Sequence, residues 1–145
     1  MYTTIEQSKE LLELGLPRET SDLLYPFNPY NELGVFGIPS VKECCPEIDI
    51  EDEESIPCWS LNALLTVLQK ANVWVCVQFL PIAFDDDGKA ISNVWNVECE
   101  YSYLSFTIRN KNLFDGVYNS ICRILRNSYN NIIKPNKQVF VSYGK

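Results

Sequence analysis

Residues 73–109 read VWVCVQFLPIAFDDDGKAISNVWNVECEYSYLSFTIR, and this stretch decides the fold. Val73 to Phe84 is rich in β-branched and aromatic residues at odd and even positions alike, with Pro81 near the end. Such a strand is expected either to be buried on both sides or to lie between a helix and a loop. Asp85-Asp86-Asp87-Gly88 follows, and Asp87-Gly88 is the strongest hairpin signal in the chain. The next strand alternates: Trp95, Val97, Cys99 and Tyr101 face one way, Asn96, Glu98, Glu100 and Ser102 the other. Then the apolar phase moves to Leu104, Phe106 and Ile108. A one-residue slip flips the buried face, and one strand over 93–109 would be too long, so a hairpin turn is expected near Tyr101–Tyr103. The stretch therefore reads as an antiparallel meander with strands at roughly 73–84, 92–100 and 103–109.

Helical patterns flank the meander. Ser60 opens a helix over 61–70 in which Leu61, Leu64, Leu65 and Leu68 follow the i, i+3, i+4, i+7 pattern, with Trp59 and Leu64 placed for a hydrophobic staple and Asn72 at its end. Asn112 can cap a second helix over 113–127, with Phe114, Val117, Tyr118, Ile121 and Leu125 as its buried stripe and Arg123 and Arg126 near its end. An N-terminal helix is expected over 5–14, with Thr3-x-x-Glu6 and Thr4-x-x-Gln7 as alternative capping boxes, Gly15 in the left-handed position after it and Pro17 as a stop. Residues 17–25 read as a further short helical turn. Leu33 to Ile38 could form a short strand, and 138–143 a final one at a sheet edge. Helices beside a run of strands, without βαβ alternation, imply an α+β fold: a meander of about three or more antiparallel strands on two main helices, plus the N-terminal helix. The 145 residues, without repeats or low-complexity linkers, fit one domain over 1–145.

Composition removes several chemistries. There is no histidine, which rules out Ser-His-Asp and Cys-His catalysis and histidine-ligated metals. The six cysteines (44, 45, 58, 76, 99, 122) contain no C-x-x-C, so no zinc site is expected. Cys76, Cys99 and Cys122 read as small core residues, and Cys44, Cys45 and Cys58 as loop residues. The run 49–54 holds five acids in six residues and reads as a solvated loop. Asp85 to Gly88 cannot belong to an EF-hand, because Ala83 and Val94 would occupy ligand positions. No phosphate-binding loop, dinucleotide fingerprint or nucleophile elbow is present, and no cofactor is expected.

Charge is uneven along the chain. The net charge is −7, but residues 1–100 carry 5 Lys/Arg against 18 Asp/Glu, and residues 101–145 carry 7 against Asp115 alone. The acidic total argues against direct nucleic-acid or anionic-lipid binding. The basic segment supplies the candidate partner-binding residues Arg109, Lys111, Arg123 and Arg126, provided they gather on one face. Glu98 and Glu100, two apart on one strand face, are the one carboxylate pair considered for acid–base chemistry, a pattern that any solvated strand face also shows. The start of the chain has no basic and apolar leader pattern, and no apolar run approaches a membrane span, so a cytoplasmic protein with reduced thiols is expected.

Three stretches carry a resemblance: Thr4 to Leu16 (TIEQSKELLELGL), Ile56 to Leu65 (IPCWSLNALL) and Asn112 to Val117 (NLFDGV). In this order, around a strand meander, they resemble a group of small proteins without assigned role in prophages and mobile elements of gut Bacteroides-like bacteria. The resemblance implies a phage- or element-related, cytoplasmic context and offers no catalytic residue. It leads one to expect Ala where Gly116 stands. The function expected from these readings is a small, acidic, non-catalytic protein-interaction module that binds a host or element protein. The alternatives are a nucleic-acid-associated or DNA-mimicking regulator and, less favoured, an enzyme of unrecognised type. Exposed aromatics among residues 25–40 and at Trp59 would mark a binding face.

Overall fold

The structure, a computed structural model, describes residues 1–25, 35–37 and 55–131. In chain order the elements are α1 (Ile5–Glu13), a 3-10 turn (Arg18–Thr20), β1 (Leu23–Tyr25), β2 (Phe36–Gly37), β3 (Ile56–Cys58), α2 (Leu61–Lys70), β4 (Trp74–Phe84), β5 (Ala90–Tyr101), β6 (Leu104–Asn110) and α3 (Leu113–Asn131). The fold is α+β, with the antiparallel meander β4-β5-β6 and a second small antiparallel sheet ordered β2-β1-β3.

Local chemistry explains the boundaries. Thr4 and Gln7 close the capping box of α1: the Gln7 N–H donates to Thr4 Oγ1 and the Thr4 N–H to Gln7 Oε1. The alternative box from Thr3 does not form, because Thr3 is fully buried. Gly15 (φ 96°) turns the chain after α1, and Asn72 (φ 59°) does the same after α2, whose Ala63 N–H is capped by Ser60 Oγ. The helical turn expected over 17–25 is only partly right. It is confined to Arg18–Thr20, and Leu23–Tyr25 are drawn into strand pairing with β3. Cys58, expected in a loop, is the fully buried last residue of β3. The candidate strand at 33–38 is described only at 35–37, where β2 pairs with β1. The acid run 49–54, Cys44, Cys45 and the strand proposed at 138–143 lie outside the described residues.

The phase change in the meander is resolved by a two-residue turn at Ser102-Tyr103, with Ser102 at φ 54°. Cys99 then pairs with Phe106 and Val97 with Ile108, so odd positions of β5 and even positions of β6 share a face. That face closes on the helices: Leu11, Leu64, Leu68, Val97, Cys99, Phe106, Val117, Ile121 and Leu125 belong to one buried cluster. α3 runs on to Asn131, so Arg123 and Arg126 sit inside the helix, not near its end.

The N-terminus is fixed by a small buried polar knot. Thr3 Oγ1 lies 2.7 Å from Ser8 Oγ and accepts from the Trp59 N–H at 3.0 Å, while Tyr25 Oη donates to the Thr3 carbonyl at 2.8 Å. Trp59 is fully buried, and its Nε1 donates to Thr20 Oγ1. The expectation that an exposed Trp59 would mark a binding face is thereby corrected: Trp59 is buried and ties the N-terminal segment, the 3-10 turn and the start of α2 together.

Candidate interaction surface and the cleft beside it

The expectation for 73–84 is also corrected. β4 is an edge of its sheet, with β5 its one neighbour among the described residues, and most of its residues are exposed or half-exposed. Cys76, expected in the core, is only partly buried. The reason is geometric. α3 packs over β5 and β6, and α2 also contacts β4, but of β4 only Val75 packs against the core cluster, and its residues from Val77 onward are mostly exposed. All eleven residues of β4 are uncharged, whereas edge strands ordinarily carry charges that discourage further pairing.

At Pro81 the pleat changes phase. The pairs Leu80↔Val94 and Ile82↔Ser92 keep one register, but Pro81 has no ladder partner and Asn93, opposite it, takes φ 54°. Before the break Val77 and Phe79 share the face of Val97 and Cys99; after it Ala83 and Ile91 turn to the opposite, outer face beside Asn96 and Glu98. Ile82 and Phe84 therefore continue the apolar stripe begun by Val77 and Phe79. Phe79, Ile82 and Phe84 are 46%, 65% and 62% exposed, and the Phe79 ring rests against Trp95 with centroids 5.1 Å apart. Trp74, 54% exposed, stands on the outer face of the same strand.

On the outer face the curled tip leaves an open cleft of about 460 Å³, lined by Asp85, Asp86, Ile91, Asn96, Glu98, Thr107 and Arg109. Asn96 is buried at its floor. Its Oδ1 accepts from Arg109 Nε at 3.2 Å, its Nδ2 donates to Glu98 Oε1 at 3.1 Å, and Arg109 Nη1 donates to the Phe84 carbonyl at 2.8 Å. Asp85 Oδ1 is occupied by the N–H groups of Asp87 and Lys89, which shape the turn. The cleft presents carboxylates beside one anchored guanidinium and can hold a small polar group by hydrogen bonds. Of the carboxylate pair considered in the sequence, Glu98 enters it and Glu100 stays exposed on the strand.

The four candidate cations do not gather. Arg109 lies in the cleft, and Lys111 is exposed at the turn into α3. Arg123 stacks on the Phe106 ring at 4.7 Å from its centroid. Arg126 pairs with Glu10 of α1, whose other carboxylate oxygen accepts from Tyr118 Oη at 2.8 Å. The sequence signal that points to this surface is the absence of charge in 74–84, which here accompanies an edge strand among the described residues.

The buried thiols are held protonated. Burial pushes Cys58 and Cys99 upward and raises Cys122 to about 11. Among the described residues no group of three or more Cys, Asp or Glu side chains converges as metal ligands would, and no helix is long and apolar enough to cross a membrane. Comparisons with protein-family models, curated proteins and solved structures returned no match to this chain.

Proposed function

We propose that this chain is a small, non-catalytic protein-interaction module of the cytoplasm, and that β4 with its projecting hairpin is the contact surface. The observation that carries this reading is the uncharged edge strand together with its exposed Phe79, Ile82 and Phe84. Exposed apolar patches of this kind, especially with aromatics, are characteristic of protein contacts. An edge without a further strand among the described residues also offers backbone N–H and C=O groups for strand addition. The scattering of Arg109, Arg123 and Arg126, each with an intramolecular partner, gives the nucleic-acid reading less support. The phage- or element-related context stays part of the reading on the strength of the three sequence motifs.

The test is site-specific photo-crosslinking in expressing cells. Benzoylphenylalanine in place of Phe79 should give a discrete protein adduct. The same group in place of Tyr103, which is fully exposed at the far turn, should not. Equal, diffuse labelling from both positions would overturn the reading.

A further inference from the structure

We infer that the contact surface serves a second copy of this chain, joined antiparallel along β4 about a twofold axis at Val77; this deepens the interaction reading and rests on it. Pro81 and the turn at Asn72 delimit the open edge. Pro81 has no N–H to donate, and Asn72 turns the chain away with φ 59°. The seven residues 74–80 between them have Val77 at their centre, so a twofold pairing that uses the whole segment is centred there.

That register matches side chains on both faces. Val77 meets its own copy and Val75 meets the second copy's Phe79, a small-to-large match on the inner face. On the outer face Trp74 meets the second copy's Leu80. Because the segment carries no charge, self-pairing brings no like charges into contact, a condition a homodimer must meet and a charged edge could not. A partner of opposite charge would gain nothing from this strand.

The exposed area is of the right size. About half or more of the roughly 150–250 Å² that an aromatic side chain can bury is open at each of Trp74, Phe79 and Phe84. With Val77, Ile82 and the strand edge, two copies can cover on the order of 1,000 Å², the threshold for a specific interface. Away from the strand each copy carries a net −7, so long-range repulsion opposes the dimer and salt should strengthen it.

The experiment is sedimentation velocity on the purified full chain from 1 to 200 µM at low and moderate salt. A species of twice the 16.7 kDa chain mass is expected, with dissociation weakening several-fold as salt rises. Val77→Lys, at a partly exposed position, should give a monomer with an unchanged far-UV spectrum. If that variant fails to fold, a cysteine pair decides. Val77→Cys in a Cys76→Ser background should form a dimer-linking disulfide with diamide, and Val75→Cys in the same background should not. A monomer at 200 µM under all salts, a dimer that persists in folded Val77→Lys, or equal cross-linking from both cysteine positions overturns the inference. A monomer that still gives a discrete adduct with another protein from position 79 refutes the dimer and leaves the interaction reading standing. A monomer without any such adduct refutes both.

Discussion

Arg109 on β6 donates to the carbonyl oxygen of Phe84 on β4 at 2.8 Å, although β5 lies between the two strands. In register Arg109 stands opposite Asn96 and Gln78, so in a flat sheet Phe84 would lie six residues, about 20 Å, further along β4 and beyond the reach of an arginine side chain. The contact is therefore possible only because the end of the β4–β5 hairpin rolls over the outer face beyond Pro81 and Asn93. The same roll forms the cleft and directs Ile82 and Phe84 to the other side. A charge-assisted hydrogen bond contributes about 1.5–3 kcal/mol, at the lower end where solvent reaches it, as here. Arg109→Met should release the tip. Amide exchange at residues 86–91 is expected to rise about tenfold, the equivalent of 1.4 kcal/mol. Exchange in α3 should hardly change. Uniform acceleration through the molecule would show that the tip is not a separable unit.

Thr3 makes a second test, because its hydroxyl meets Ser8 Oγ, the Trp59 N–H and Cys58 Sγ in a fully buried place. Thr3→Val keeps the shape, leaves the Trp59 N–H without its acceptor and removes the hydrogen-bond partner of the Ser8 hydroxyl. An unsatisfied buried donor costs about 1–3 kcal/mol, so the urea midpoint should fall by an amount equivalent to about 2–3 kcal/mol for the pair. Thr3→Ser, which keeps the hydroxyl, should lose no more than about 1 kcal/mol. Equal losses for the two variants would assign the effect to packing.

The meander and helices were legible because each rests on a local signal. Asp87-Gly88 fixes one turn, the change from odd to even apolar positions at 101–104 requires the other, and the Leu61–Leu68 spacing defines α2. Which strand stands at the edge is a long-range fact that no window of sequence contains. An apolar run suits a central strand and an edge equally, so the composition of 73–84 does not distinguish a covered strand from the edge that β4 forms among the described residues. The cleft was hidden for a related reason: Asn96, Glu98 and Arg109 meet Asp85 and Asp86 only after the hairpin rolls at Asn93. A left-handed Asn inside a strand has no dependable sequence mark. The helical pattern of 113–127 puts Arg123 and Arg126 on α3, but their partners Phe106 and Glu10 lie on other elements, which no local pattern reveals.

Alkaline pH should destabilise the fold. The Cys122 thiol is raised from 9.0 to about 11, first by burial, and the Tyr25 hydroxyl from 10.0 to about 12, also first by burial. In each case the unfolded chain gives up its proton at lower pH than the folded one. Stability is thus unaffected below about pH 9 and falls as pH rises from 9 toward 11 for Cys122, and from 10 toward 12 for Tyr25. For Cys122, which is almost completely buried, the slope is on the order of 1.4 kcal/mol per pH unit within that window. Urea titrations at pH 8, 9.5 and 10.5 should show a progressive loss, reduced in Cys122→Ala relative to its own value at pH 8. A flat profile to pH 10.5 would show that the thiol is ionised without penalty and is not held in the core.

Gly116 is the position where the resemblance suggested Ala, and the structure supplies a reason for Gly. It is buried in the first turns of α3, and a Cβ built there would stand 3.2 Å from a methyl of Val97 and 3.7 Å from Cβ of Asn110. Helix propensity favours Ala over Gly by about 1 kcal/mol in a helix interior. Overpacking a filled core costs about 1–3 kcal/mol, and Val97 has little freedom to yield, being fully buried in the central strand of the meander. The close approach is expected to win, so Gly116→Ala should be neutral to about 2 kcal/mol destabilising despite the better helix former. Val97→Ala removes the obstructing methyl and should reverse the sign, so that Gly116→Ala stabilises the Val97→Ala protein by about 1 kcal/mol. The double-mutant cycle, measured by urea unfolding, should therefore show a coupling of about 1 kcal/mol or more. Additivity within about 0.5 kcal/mol, the behaviour of independent sites, would mean that α3 and β5 do not approach as closely as Gly116 permits.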